Sequence, residues 1–273
     1  MLVRALTAVL LISGFLAALF WLERTWFAAL IALLVAAGAY EWAKLCRFQP
    51  TPALLYAAGC LGGFAALALA FYPVSTDDSP EQLVFAAATI FWAAGVPALL
   101  RVRLDRLGPV LPLIGVAVLV PAGLAMIALP PGLLLAVLVL VWISDTAAYV
   151  GGRAFGRHKL APAISPGKTW EGFACGLGAV LIYAIICAIL PADGGARIVW
   201  IVPAGWVFYL GAAALLCIVG VLGDLFESAM KRRAGVKDSG SVLPGHGGIL
   251  DRIDSAVAVL PMAAFLLQWI RAG

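Results

Sequence analysis

The stretch Pro109–Gly151, PVLPLIGVAVLVPAGLAMIALPPGLLLAVLVLVWISDTAAYVG, carries a single charged residue, Asp145. It divides into two apolar runs, Pro109–Leu129 and Gly132–Gly151. Each is close to the ~20 residues a helix needs to cross a hydrocarbon core. Leu129-Pro130-Pro131-Gly132 separates them, because proline lacks the N–H that an unbroken helix would use. A helix apolar all round has no face to offer to water.

Working outward, the same pattern recurs at Ala5–Leu22, Thr25–Tyr40, Ala53–Tyr72, Leu83–Leu100, Phe173–Leu190, Ile198–Leu222 and Ser255–Ile270. The expectation is nine spans in an all-α polytopic membrane protein. The composition agrees: 64% hydrophobic and 12% charged, about half the ~25% charge of soluble domains. Ala5–Leu22 is expected to remain a span rather than a removed leader, since no small-residue cleavage site precedes Glu23 and Arg24. Cys46, Cys60, Cys175, Cys187 and Cys217 form no CxxC pair and fall mostly in apolar runs. They read as small buried hydrophobes rather than disulfide or zinc ligands.

Charge placement orients the chain. With nine spans, fifteen of the 18 Lys and Arg fall on the side of the N-terminus. Only Arg24, Arg197 and Arg271 fall on the other. Basic loops stay in the cytoplasm, so the N-terminus is expected inside and the C-terminus outside. The loop Pro73–Gln82 carries Asp77, Asp78 and Glu81 and no base, which agrees. No internal repeat or linker divides the chain. Residues 1–273 read as one membrane domain, with N-terminal helices at 1–108 and catalytic helices at 109–273. The two large cytoplasmic loops are expected at 152–172 and 223–254.

Half of the 14 acids lie at or beside these loops: Asp145, Glu171, Asp224, Glu227, Asp238, Asp251 and Asp254. At 1.5 Å per helical residue, Asp145 and Asp224 sit roughly 9–10 Å inside one membrane face. A carboxylate at that depth needs a polar cavity, a base or a metal. Asp224 and Ser228 share a helix face at i, i+4, and Asp251 and Asp254 do so at i, i+3 if that turn is helical. Carboxylates on two segments suit a hard cation, and Mg²⁺ leaves room for substrate phosphates. A transporter with an intramembrane acid would instead place acids at the midplane of symmetric halves.

Ser165-Pro166-Gly167-Lys168-Thr169 combines a lysine, two hydroxyls and the start of a helix, which suits phosphate. Its spacing is not that of a P-loop. Pro244-Gly245-His246-Gly247-Gly248 offers backbone for close approach to a ligand, with His246 read as an orienting or phosphate-contacting residue. His158 reads as a surface residue. Gly172 and Gly176 form a GxxxG, suited to close helix packing.

The run Ser228–Asp254, SAMKRRAGVKDSGSVLPGHGGILDRID, resembles the signature of the phosphatidate cytidylyltransferase family over its whole length. Gly223–Ser228, Ser144–Tyr149 and Ser165–Gly172 are family-like as well. The resemblance is strong from about Pro109 onward, and the first four spans match only as generic membrane helices. It implies transfer of CMP from CTP to phosphatidate, giving CDP-diacylglycerol and pyrophosphate, at the inner (cytoplasmic) cell membrane. It implies catalytic roles for Asp224, Asp251, Lys231 and Lys237. Ser165, Lys168, Ser228, Arg232, Asp238, His246 and Arg252 are the expected substrate-binding residues. Asp224, Asp251 and Asp254 are the expected cation ligands, for Mg²⁺ and a second, monovalent cation. It also implies a homodimer and a lipid cavity open sideways to the bilayer. No nucleic-acid partner is expected. The alternatives are a cytidylyltransferase for a different lipid phosphate, another head-group enzyme and a transporter. A CDP-alcohol phosphotransferase would need a DG…AR…G…D…D run, which the sequence lacks.

Overall fold

A computed structural model describes residues 2–71, 81–102, 104–189, 205–242 and 247–272. Asp77, Asp78, Arg103, Arg197 and His246, on which some expectations fall, lie outside these residues, as does the expected start of span eight at Ile198.

The elements are α1 (Leu2–Trp21), α2 (Arg24–Leu45), α3 (Pro50–Phe71), α4 (Glu81–Ile90), α5 (Val96–Arg101), α6 (Leu111–Ala128), α7 (Pro131–Phe155), α8 (Trp170–Ile189), α9 (Gly205–Ala234), α10 (Leu250–Ile253) and α11 (Ala256–Ala272). A π-helical turn, Phe91–Gly95, joins α4 to α5 and makes them one run. Seven helices are long and apolar enough to cross a membrane, counting α4–α5 as one. The apolar parts of α1 (Val9–Trp21) and α11 (Ala256–Ile270) are shorter. The chain is a multi-pass, mostly α-helical membrane protein.

The π turn has a local cause. Pro97 has no N–H to give and its ring would press on the preceding turn of a regular helix. Widening that turn by one residue relieves the conflict. Phe91 and Trp92, carried on the widened turn, both meet Phe226 of α9, at 6.4 and 6.1 Å between ring centroids.

α11 packs against α4, α6, α7 and α9, and Ala256–Ala264 is buried throughout. It is the centre of the bundle, which is why a helix apolar on every side can be short. α6 lies beside it and also against α2 and α3.

α7 and α8 make the most intimate pair. A Cβ at Gly172 would lie 2.6 Å from the Ala148 carbonyl oxygen, and one at Gly176 would lie 3.0 Å from that of Ser144. The GxxxG therefore serves packing within the chain, and it brings the helix carrying Asp145 against the one that follows Lys168.

Two features of the expected loops differ. Residues 152–172 are the end of α7, a β-hairpin and the start of α8. The hairpin pairs β1 (Lys159–Ala161) with β2 (Ser165–Thr169), antiparallel. Residues 223–234 are helix, since α9 continues to Ala234. The i, i+4 pair Glu227 and Lys231, 3.3 Å apart, and Lys231, Arg232 and Arg233 in the last turn favour that continuation.

Candidate active site

The site begins on α9. The helical repeat puts Asp224, Ser228 and Lys231 along one side, and the Ser228 hydroxyl donates to Asp224 Oδ1 at 3.2 Å. The hairpin adds Lys168, whose Nζ lies 2.5 Å from Asp224 Oδ2. The hairpin is fixed at both ends. Thr169 Oγ1 accepts the Gly172 N–H at 3.1 Å and so caps α8, a contact typically worth ~1 kcal/mol. Glu171 accepts the backbone N–H groups of Arg157 and His158 and meets His158 Nδ1 at 2.6 Å. The exposed His158 thus braces the hairpin as well as lying at the surface. The Arg232 Nε–H reaches the Ile164 carbonyl at 3.3 Å, close to Ser165.

The segment after α9 adds the second wall. Lys231 Nζ donates to Asp251 Oδ1 at 2.7 Å. Asp251 Oδ2 takes the Ser239 N–H at 2.9 Å, the Gly248 N–H at 2.8 Å and the Ser239 hydroxyl at 3.1 Å. Burial works against the Asp251 charge, but the Lys231 ammonium and the two N–H groups outweigh it and hold this carboxyl below its ordinary range. Asp254 follows one helical turn later and faces a different environment. Burial and the charges of Asp224 and Asp145 push its carboxyl up to about 7.

Ser228, Lys231, Arg232, Lys237, Asp238, Asp251 and Arg252 line one cavity of about 250 Å³. Four of the seven are basic. The volume falls a little short of the ~300–1,000 Å³ of small-molecule pockets, and fits a polyphosphate better than a whole nucleotide. Lys168 and Asp224 join it through Ser228. The spacing of Asp251 and Asp254 is helical as expected, yet the two point to different partners.

Asp254 lies close enough to Asp224 and Asp145 for its carboxyl to feel both charges, and all three offer hard oxygen. Glu227 is 4% exposed and shares the Lys231 ammonium with Asp251. Two buried carboxylates against one ammonium suit a further cation. Among the described residues no group of three or more His, Cys, Asp or Glu side chains is arranged to enclose a metal. Mg²⁺ does not need such a cage, since it binds through one or two carboxylates with waters and phosphates. The residues fit a cation shared with a phosphate substrate.

Sequence reasoning missed Glu41 and Ser239. Glu41, on α2, is 2% exposed and accepts bonds from Ser239, Ile249 and Leu250. The one signal was an acid at the basic end of an apolar run, beside Lys44 and Arg47, where a helix-end acid ordinarily reaches toward water.

A membrane helix bundle with carboxylates and bases gathered around a phosphate-sized cavity is the architecture of a membrane-bound transferase, and the comparisons narrow it. The chain belongs to the cytidylyltransferase family, whose model matches residues 2–270. It is 40% identical to the phosphatidate cytidylyltransferase of Pseudomonas aeruginosa over 279 residues, covering 97% of this chain and 96% of that one. It is 34% identical to the phosphatidate cytidylyltransferase of Haemophilus influenzae over 293 residues, 98% of each chain. A Staphylococcus aureus phosphatidate cytidylyltransferase matches at 50% over 129 residues, 47% of this chain and 46% of that one.

Proposed function

We infer that this protein is a nucleotidyltransferase that moves CMP from CTP to phosphatidate, releasing pyrophosphate and forming CDP-diacylglycerol in the membrane. The observation that carries the reading is the basic cavity walled by Lys231, Arg232, Lys237 and Arg252 beside the Asp224 carboxylate. It fits the full-length similarity to phosphatidate cytidylyltransferases.

A phosphate oxygen of the lipid attacks the α-phosphorus of CTP, and the bond to the departing pyrophosphate breaks. The nucleophile is already an oxyanion, so no protein nucleophile is needed. The work left to the protein is to neutralise and align two polyanions. Lys231, Arg232, Lys237 and Arg252 supply positive charge to the phosphates, Ser165, Ser228 and His246 orient them, and Asp238, which lines the same cavity, offers an acceptor to the substrate's hydroxyl groups. Asp224 and Asp254 would hold Mg²⁺, which when bound supplies Lewis acidity and a template for the phosphates. Asp251 enters through Lys231, which it fixes against α9. A second, monovalent cation belongs with the remaining negative charge of Asp145 and Glu227. The decisive assay is purified protein with labelled CTP, phosphatidate and Mg²⁺, scored for CDP-diacylglycerol. No product would overturn the reading.

Lys168 bridges the two halves of this proposal, since its ammonium pairs with Asp224 and would serve CTP phosphates where that carboxylate holds a cation. Lys168→Ala is expected to raise the KM for CTP about 10-fold or more while expression stays normal. Unchanged CTP kinetics would remove Lys168 from the nucleotide site.

The proposed orientation places the cavity in the cytoplasm, where CTP is, and follows from the distribution of Lys and Arg across nine spans. A reporter fused after Gly273 is expected to read as extracytoplasmic. A cytoplasmic readout would mean an even number of spans. The membrane concerned is the inner (cytoplasmic) one, and the homodimer is tested by cross-linking in mild detergent.

A further inference from the structure

The first four apolar runs carry no recognisable chemistry, yet the cytoplasmic end of α2 reaches the segment that builds the cavity wall. Gly38, Glu41, Trp42 and Leu45 recur at helical spacing on one face. Gly38 leaves room for Leu250, whose Cδ2 would lie 3.3 Å from a Cβ there. Trp42 packs on Phe226 of α9 at 6.0 Å between ring centroids. Just past the helix, Arg47 turns back with φ 66° and donates to the Arg233 carbonyl at 2.9 Å. α2 is therefore seated on both α9 and the segment leading to α10.

Glu41 is the centre of that seat. Its Oε1 takes the Ile249 N–H at 2.9 Å, and its Oε2 takes the Leu250 N–H and the Ser239 hydroxyl, each at 2.9 Å. The same Ser239 hydroxyl lies 3.1 Å from Asp251 Oδ2. It carries one hydrogen, so it serves one of these two acceptors at a time and links them. Two glycines make room for this seat. A Cβ on Gly240 would stand 2.5 Å from Glu41 Oε1, and a Cβ on Gly248 would overlap both Glu41 Oε2 and Ser239 Oγ. The close backbone approach expected of Gly248 is thus made to Glu41 and Ser239.

We propose that Glu41 is a positioning residue for the transfer: it fixes Ser239–Leu250 so that Asp251 holds Lys231, and Lys237 and Arg252 face the substrate phosphates. This rests on the nucleotidyltransferase reading of the cavity. Glu41 touches no reacting atom and acts through Ser239, the Ile249 and Leu250 amides, and Asp251. A buried carboxylate accepting from two adjacent amides is hard to replace, because glutamine puts an NH₂ donor against N–H donors.

Glu41→Gln is expected to lower kcat/KM for CTP on the order of 10²-fold, the scale of a ~1 Å misplacement, with KM for CTP raised several-fold. The protein should still insert and elute as a single species. A purely structural role would reduce the amount of folded enzyme and leave the KM for CTP and the Mg²⁺ dependence of the survivors unchanged, so unchanged values overturn the proposal. Glu41→Asp, which keeps both acceptor oxygens one methylene short, is expected to recover part of the loss. Should Glu41→Gln fail to fold, Ser239→Ala decides, because it removes the bridging hydroxyl and no backbone contact. A kcat/KM about 3–10-fold below wild type supports the proposal, and a wild-type value overturns it. Wild-type enzyme in the same assay separates the two readings. Absence of transfer by wild type sinks the function, whereas transfer that Glu41→Gln matches sinks only the positioning role.

Discussion

Replacing Asp224 by Asn is expected to lower CTP:phosphatidate transfer by more than the ~10²–10³ typical of losing one transition-state hydrogen-bond donor. The substitution keeps the side chain's size, and the amide oxygen can still accept from Ser228, 3.2 Å away in the native enzyme. It removes the charge that faces Lys168 and that a hard cation needs. The fold should not suffer. Asp224 is attracted by Lys168 and repelled by the nearby Asp254 carboxylate, so losing its charge removes one favourable and one unfavourable contact, and the variant should melt close to wild type. Asp251→Asn provides the contrast. Its carboxylate serves Lys231 and the amides of Ser239 and Gly248, so it should lose activity and stability together. The Mg²⁺ concentration for half-maximal residual activity should rise in Asp224→Asn and stay put in Asp251→Asn. Near-normal activity of Asp224→Asn with unaltered Mg²⁺ dependence would end its candidacy as a cation ligand. A Mg²⁺ shift in Asp251→Asn would return that residue to the metal.

The second large effect concerns Lys231. Its side chain is 13% exposed and stands between Glu227 and Asp251, each 6% exposed at the side chain. Lys231→Met preserves most of the volume and leaves those carboxylates without their cation. Removing one partner from a buried pair typically costs about 3–5 kcal/mol. A large fall in melting temperature in detergent and loss of transfer should therefore appear together. Adding Glu227→Gln removes one stranded charge, so the double variant should regain stability without regaining activity. A Lys231→Met protein as stable as wild type would show that the pair contributes nothing to the fold.

Hydropathy located the apolar helices, seven of them long enough to span among the described residues, because the hydrocarbon requirement is severe. Pro109–Leu129 brackets the observed Leu111–Ala128, and Gly132–Gly151 lies inside Pro131–Phe155. The method is blind where a helix leaves the membrane. α9 continues through Asp224, Glu227, Lys231 and Arg233, and polarity there reads as a loop although the i, i+4 pairing favours helix. The hairpin escaped for a related reason, since Ser165-Pro166-Gly167-Lys168-Thr169 has no apolar alternation to betray a strand. At the site, residue types and local spacing were legible: Ser228 beside Asp224, and a cluster of bases on one cavity. Partnership across the chain was not. Nothing local could reveal that Lys231 takes Asp251 while Asp254 is left with Asp224 and Asp145. Glu41 lay deeper still, because two of its three partners are backbone amides more than 200 residues away.

The length of α9 has a consequence for how the enzyme meets its lipid. Thirty residues of helix extend about 45 Å, against a hydrocarbon core of ~30 Å. Asp224, nineteen residues in from Gly205, stands ~28 Å along that axis. One helix thus carries Asp224 near one end of the hydrocarbon core, with Ser228 and Lys231 about 6 and 10 Å beyond it along the same axis. A diacyl substrate can present its phosphate there by lateral diffusion, with both tails still in the bilayer. The quantity that sets the rate is then the number of phosphatidate molecules per unit of membrane area. Diluting vesicles into buffer should leave turnover unchanged, and diluting phosphatidate with inert lipid at constant total concentration should slow it.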